Sequence, residues 1–281
     1  MIQLINFWKD SGLTKFKLSF EKLIVRDVYL FSVFGTIDNI YKYNDKKKIL
    51  LIGENIERDK YSIYKNHDII KQFDLVLGFK YLNYDNYLRF PIWLYHNSYF
   101  INELDKYLSF IVNHQKTTTY NINNKKMACL ISRTDINNLR VNLLKTLKIK
   151  IDCPSSIGKN CESIEKQKLS KIEFMKKYIF NICPENGSSE GYTTEKLFEC
   201  VFANCIPIYY GTLGEEEKQI FNLNRIIFID INNLDKVNKI IDDLVNNNKL
   251  EEFYNQSIFN LNSEKIIVEF INKFKLKLNN L

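Results

Sequence analysis

No two of the six cysteines form a C-x-x-C pair, and only three histidines, His67, His96 and His114, are available to join them. Zinc-ligand spacing is therefore missing, and a zinc-organised domain is excluded. No apolar run approaches the roughly 18 residues of a membrane-spanning helix. Met1 leads straight into IQLINFW, without the basic stretch and long apolar core of a secretory leader. Cys183, Cys200 and Cys205 sit in apolar runs and read as small core residues. The expectation is a cytoplasmic protein in a reducing compartment, with a Cys153–Cys161 bridge left open. The phosphate-loop patterns G-x-x-x-x-G-K-[ST] and G-x-G-x-x-G are also missing. Any nucleotide is then held differently from those of the usual ATPases and dinucleotide enzymes.

What is present is a chain of 281 residues, 45% of them hydrophobic and 14% aromatic. That suffices for one large or two ordinary soluble domains with a real core. The net charge of +7 suits an anionic partner such as a nucleotide, a nucleic acid or a membrane face. The lysines are dispersed, however, and a solvated surface accounts for most of them. A nucleic-acid binder would cluster Lys and Arg with aromatics on one element. Only the short NKFKLKL run (272–278) comes near this, and it equally suits an amphipathic membrane contact.

Short β-forming runs alternate with helical or polar segments along the chain. Strands are expected in IQLINFW (2–8), VYLFSVFG (28–35), KKILLIGEN (47–55) and FDLVLGF (73–79), with a helix in LTKFKLSFEKLI (13–24). YLRFPIWLYH reads as a loop and NELDKYLSFIVNH as a helix. The polar, aperiodic QKTTTYNINNKK (115–126) reads as a linker. Beyond it, strands are expected in MACLISR, KIKIDC, the end of KIEFMKKYIFNICPEN, IPIYYG and RIIFIDI. Helices are expected in INNLRVNLLKTL, LDKVNKIIDDLVNN and EKIIVEFINKFKLKL. Two α/β halves with parallel sheets follow, meeting at a cleft by the carboxyl ends of their strands.

The most distinctive stretch is CPENGSSEGYTTEKLFECVFANCIPIYYG, Cys183 to Gly211. A Gly-bearing loop runs into a helix capped at Thr193 or Thr194, apolar nearly all round and therefore buried. Asn204 suits a left-handed helix end, and Pro207 a strand entry. Free N–H groups at such a helix start, with Lys196 beside them, suit a phosphate. Glu195 suits sugar hydroxyls instead. Together they describe a sugar-nucleotide site; an ordinary helix start with an exposed Glu-Lys pair fits the same residues equally well.

This stretch resembles the donor-binding signature of the α1,3/4-fucosyltransferases, glycosyltransferase family 10. Its pattern runs F-E-N-S-x-x-x-x-Y-x-T-E-K-L, then a hydrophobic helix, then x-P-[IV]-x-x-G. Glu185, Asn186, Tyr192, Thr194, Glu195, Lys196, Leu197, Pro207 and Gly211 match, while Pro184 replaces the Phe and Gly187 the Ser. IGENIE, FDLVLGF with NYLRFPIW, and LRVNLLKTL resemble further family segments, so nearly the whole chain is covered, most of it weakly. The resemblance implies an α/β fold of GT-B type, two Rossmann-like domains facing a central cleft. Residues 1–120 would bind the acceptor and residues 121–262 GDP-fucose, with 263–281 a helix packing back across both.

The implied reaction moves L-fucose from GDP-fucose to a hydroxyl of an oligosaccharide or glycoconjugate acceptor, with inversion. The family default is an α1,3 bond to GlcNAc or glucose of a lactosamine- or lactose-type acceptor. An α1,2 bond to galactose, or a non-catalytic sugar-nucleotide or glycan-binding module, are the alternatives. Inversion needs one general base, and the resemblance assigns it to Glu54 in IGENIE, with Glu57 as nearest substitute. Arg140 would clamp the diphosphate, with Arg133 as substitute. Lys196 would also meet the diphosphate, Glu195 the fucose hydroxyls, Asn186 and Tyr192 the ribose or phosphates, with Thr194 and Ser132 beside the donor. Arg89 reads as structural; Trp93, Tyr84 and Tyr87 read as core aromatics rather than sugar platforms, and the histidines as non-catalytic. No D-x-D motif is present, so no metal or other cofactor is demanded, although weak Mn²⁺ stimulation is compatible with the family. No nucleic-acid partner and no transmembrane segment are expected; peripheral membrane contact is left open.

Overall fold

Five strands near the start of the chain lie side by side in the order in which they are made. They are β1 (Ile2–Ile5), β2 (Val28–Ser32), β3 (Lys47–Leu51), β4 (Leu75–Gly78) and β5 (Tyr87–Arg89), all parallel. β6 (Lys126–Leu130), β7 (Ile151–Asp152), β8 (Tyr178–Pro184), β9 (Ile206–Tyr210) and β10 (Ile227–Phe228) form a second parallel sheet. This computed structural model describes residues 1–7, 21, 26–96, 103–115, 122–132, 135 and 138–281. Trp8, nearly all of the helix expected at 13–24, residues 116–121 of the linker and Arg133 lie outside them.

The sheets differ in order. The first runs β1-β2-β3-β4-β5 without reversal, and the second runs β10-β9-β8-β6-β7. The direction in which successive strands are added therefore reverses at the neighbouring β6 and β8, and such a switch point opens a ligand crevice at the strands' carboxyl ends.

Segment 87–96 departs from the expected loop. It forms β5 and helix α1 (Ile92–His96). Its aromatic and aliphatic side chains are what fix it: Phe90, Ile92, Trp93 and Leu94 are fully buried. Helix α2 (Leu104–His114) falls where a helix was expected. The second half contains α3 (Leu139–Thr146), α4 (Lys171–Met175), α5 (Glu195–Phe202) and α6 (Glu215–Ile220), and α7 (Ser263–Asn279) closes the described chain.

Apart from the face that carries Glu195, Lys196 and Glu199, helix α5 is apolar, because it has sheet on one side and helix on the other. It packs against β8 and β9 and, across the halves, against α1, where Phe198 stacks on Trp93 with ring centroids 4.3 Å apart. Asn204 ends the turn in the left-handed region at φ 53°, where asparagine is tolerated. Helix α7 completes the first half's core from the far end of the chain, setting Phe274 against Phe90 at 4.5 Å and Phe270 against Trp93 at 6.0 Å. A separate core on the other face of the second sheet gathers Leu143, Ile208, Val237 and Ile241.

A buried polar cluster adds to this junction. Glu217 on α6 is fully buried and accepts from Trp93 Nε1 at 2.8 Å and Arg89 Nη2 at 2.7 Å. Arg89 also meets Glu216 at 3.0 Å and lies 4.5 Å over the Tyr81 ring. Arg89 is thus a structural link between β5 and α6.

Candidate functional site

The carboxyl edges of both sheets open onto one cleft of ≈ 860 Å³. β3 of the first sheet delivers Gly53 and Glu54 to it. The switch point of the second delivers Ile131 and Ser132 after β6, and Asn186 after β8. Every residue singled out in the sequence as a site residue lines this cleft: Glu54, Ser132, Arg140, Asn186, Tyr192, Thr194, Glu195 and Lys196.

Arg140, on the first turn of α3, is only 1% exposed. Its Nη2 donates to the Pro184 carbonyl at 3.1 Å and to Asn186 Oδ1 at 2.9 Å, while Nε and Nη1 are buried without a partner. Burial pushes its pKa down, and Asp135 and Glu185 pull it only part of the way back. A buried guanidinium with two idle nitrogens is costly unless an anion completes it. Asn186 and the end of β8 hold it in place.

At the start of α5, a carboxylate without an assigned role takes the central position. Glu185 is 1% exposed and accepts from Thr194 N at 2.8 Å, Thr194 Oγ1 at 2.7 Å and Lys196 Nζ at 3.0 Å. Thr194 stands at the N-cap, but its hydroxyl does not cap the helix. It donates to Glu185 and accepts from Lys196 at 2.7 Å. Lys196 is accordingly not a lone cation. Glu185 at 3.0 Å and Glu195 at 3.6 Å compensate it. Burial works against its charged form, but these two carboxylates outweigh burial and raise its pKa. The adjacent Glu and Lys that open the helix are therefore two edges of a three-residue charge cluster around Glu185. Glu185 matched the motif, and a buried carboxylate ahead of a Lys-bearing helix start was the available signal.

Glu54 comes from the other half, with its side chain 17% exposed. Its Oε2 accepts from Tyr192 Oη and from Arg58 Nη1, both at 3.3 Å. Tyr192 is itself 1% exposed and packs edge-on against Phe79 at 5.2 Å. Burial, then the Glu54 charge, push the Tyr192 phenol well up, so it is a hydrogen-bond donor at neutral pH. Next to Glu54, Asn55 accepts from Ser189 Oγ at 3.0 Å. A Cβ at Gly187 would come within 2.7 Å of Asn55 Nδ2. The 187–192 loop thus reaches across the cleft, and a glycine at its start permits the approach.

Further from Glu54, the cleft is lined by Ser155, Ser163, Glu165, Lys171 and Glu199. Lys171 and Glu199 form an ion pair one turn along α5 from Glu195. Sequence reasoning did not reach these residues. Glu199 shows as a lone acid in an apolar helix, and Lys171 lies outside the motif.

The remaining candidates lie elsewhere. Glu57 pairs with Lys65 at 3.0 Å and with Lys80, outside the cleft. Trp93 and Tyr87 are core residues, and Tyr84 stacks on His67 at 4.1 Å. His114 joins Phe110 O and Asn204 Oδ1. All six cysteines are free thiols, so Cys153 and Cys161 are not bridged. Among the described residues no group of three or more His, Cys, Asp or Glu could hold a metal, and no helix is long and apolar enough to cross a membrane.

The family described as glycosyltransferase family 10 (fucosyltransferase) C-term matches residues 120–271, and that of the alpha-(1,3)-fucosyltransferase FucT N-terminal domain matches residues 2–96. The alpha-(1,3)-fucosyltransferase FucT of Helicobacter pylori is 23% identical over 250 residues, covering 75% of this chain and 50% of that protein. The chain thus spans about half the length of this relative. A crystal structure of an α1,3-fucosyltransferase superposes with TM-score 0.65 at 20% identity, covering 99% of this chain and 89% of that one. One holding GDP-fucose gives 0.59 at 19%, covering 98% and 89%. The fold is α/β of GT-B type, with two parallel-sheet halves around the cleft. With more than half of its residues inside the first of these family matches, the chain belongs to glycosyltransferase family 10, the fucosyltransferase family.

Proposed function

We propose that this protein is an inverting fucosyltransferase, moving L-fucose from GDP-fucose to a hydroxyl of an acceptor glycan. The observation that carries this is Arg140, a buried cation with two idle nitrogens at the switch point of the second sheet. It lines one cleft with a carboxylate from the opposite half, Glu54.

In this reading, residues 121–262 hold the donor, residues 1–120 meet the acceptor, and residues 263–281 brace the two. The diphosphate accepts from Nε and Nη1 of Arg140. Lys196, which lines the cleft and is paired with Glu185, supplies a second positive group. Charge develops on the diphosphate as the glycosidic bond breaks, so these preset donors act most strongly in the transition state. Glu195 accepts hydrogen bonds from fucose hydroxyls, and Asn186 and Ser132 lie beside the nucleotide. Glu54 takes the proton of the attacking hydroxyl on Oε1, because Tyr192 and Arg58 occupy Oε2. Tyr192, though in the donor motif, then serves mainly to orient the base. The chain's own cations fill the role that a metal has elsewhere, so no resident metal is required. The default linkage is α1,3 to GlcNAc or glucose.

The test is GDP release from GDP-fucose, with and without lactose or N-acetyllactosamine, for wild type and Glu54→Gln. Acceptor-dependent release that drops by roughly 10²–10⁴-fold in the variant, at unchanged GDP affinity, is expected of a lost general base. Saturable GDP binding without turnover on any acceptor would favour a binding module. Absence of GDP-fucose binding by folded protein would overturn the donor assignment.

A further inference from the structure

Among the described residues, three arginines have buried side-chain nitrogens without hydrogen-bond partners: Arg89, Arg140 and Arg225. Arg89 has Glu216 and Glu217 as counter-charges, and Arg140 faces the cleft. Arg225 has neither. It is 4% exposed, donates from Nη2 to the Tyr254 carbonyl at 2.7 Å, and leaves Nε and Nη1 idle. The Phe253 and Tyr254 rings lie 5.1 and 5.2 Å from its guanidinium carbon.

Among the described residues, no carboxylate forms an ion pair with Arg225. The groups acting on Arg225 are the Tyr254 phenol and the thiols of Cys200 and Cys205, and burial brings its pKa down to about 10. A second cation lies close by. Lys125 Nζ donates to the carbonyls of Asn204 at 3.1 Å and Tyr178 at 3.4 Å, and sits 5.4 Å from the same Tyr254 ring. The end of α5 contributes only about half a negative charge. Lys125 is half-buried and has these carbonyls as partners, so the charge left largely uncompensated is that of Arg225. Beside Arg225 is a small cavity of ≈ 20 Å³, lined also by His114, Asn204, Cys205, Tyr254 and Gln256. A void of about 10–15 Å³ already admits one water-sized particle. It lies at the opposite end of α5 from the sugar-nucleotide cleft, roughly 14 Å away at 1.5 Å per residue.

We propose that Arg225 and this cavity form a binding site for a single halide-sized monovalent anion, chloride under ordinary conditions. A water molecule could fill the space, but it would leave the charge in place. The anion satisfies the idle nitrogens and the charge together.

Thermal unfolding of the full chain in sodium chloride against sodium gluconate, at fixed ionic strength, tests this. The expected midpoint rises with chloride and saturates, by roughly 2–3 °C at ten times the dissociation constant. Bromide substitutes for chloride. Arg225→Met abolishes the response, and Arg140→Met keeps it, which separates this site from the diphosphate site. Should Arg225→Met fail to fold, anomalous scattering from wild-type crystals in bromide decides. A peak beside Arg225 upholds the site, and a bromide-free cavity overturns it. A wild-type midpoint indifferent to halide also overturns it, leaving water as the occupant.

Discussion

Replacing Arg140 by Met separates two roles that a buried arginine can play. The variant loses two bonds, to the Pro184 carbonyl and to Asn186 Oδ1. Charge-assisted bonds contribute about 1.5–3 kcal/mol each. It also removes a 99% buried cation whose Nε and Nη1 have no partner, and an unsatisfied buried group costs about 1–3 kcal/mol, more when charged. Met fills similar space without a polar group. These effects oppose one another, so the unliganded variant should unfold within about 2 kcal/mol of wild type. GDP binding is different, because both idle nitrogens are expected to meet phosphate oxygens. Losing two such contacts removes about 3–6 kcal/mol, or roughly 10²–10⁴-fold in affinity. Calorimetry with GDP gives the affinity, and urea unfolding without ligand gives the stability. A variant that unfolds far more easily yet binds GDP as well as wild type would refute the reasoning. Arg140 would then be a structural residue and its idle nitrogens irrelevant to the ligand.

Three further outcomes follow from named contacts. Tyr192→Phe removes one 3.3 Å donor from Glu54; kcat should fall about fivefold, the effect of a hydrogen bond of about 1 kcal/mol, while GDP affinity stays within a factor of two; a large loss of affinity at unchanged kcat would make Tyr192 a donor ligand instead. Glu217→Ala strips Arg89 and Trp93 of a fully buried partner; it should cost about 3–5 kcal/mol in urea unfolding, and a cost below 1 kcal/mol would show that Glu216 suffices. Asp152 is buried, which raises its pKa, but bonds from Lys126 at 2.7 Å and Tyr178 at 2.8 Å lower it overall, below the ordinary 3.8. The unfolded chain takes up this proton first. The stabilisation is thus complete above pH 3.8 and lost as pH falls through the lower folded value, and Asp152→Asn should flatten that part of the acid-unfolding profile.

The cleft was legible where chemistry is written in consecutive residues. In the 183–211 stretch, a loop glycine, a threonine at the helix start, an acid, a lysine and an apolar helix stand in fixed order, and they fold as one unit, although the threonine hydroxyl turns to Glu185 instead of capping the helix. Glu54 and Arg140 were legible only through resemblance, since a strand-end glutamate and a helix arginine have many uses. What escaped depends on tertiary contact. Segment 87–96 is too short and too aromatic for periodicity to show, and Trp93 settles it by stacking on Phe198 more than a hundred positions later. The reversal between β6 and β8 is set by which strands pair, and hydropathy is silent on pairing. Glu185 gains its role only when Thr194 and Lys196 close around it.

Helix α7 has a consequence for the order of events during synthesis. Lys277 bonds to the carbonyl of Asp85 across 192 positions, and Phe274 rests on Phe90. The first sheet emerges from the ribosome early but lacks these partners until translation has passed residue 274. At roughly 5–20 residues per second, that interval lasts about ten seconds or more. A nascent chain must keep the apolar surface around Phe90 and Trp93 soluble meanwhile. The outer face of the second sheet, with a core of its own, does not wait for α7. Chaperone dependence should therefore attach to the half of the protein that is made first.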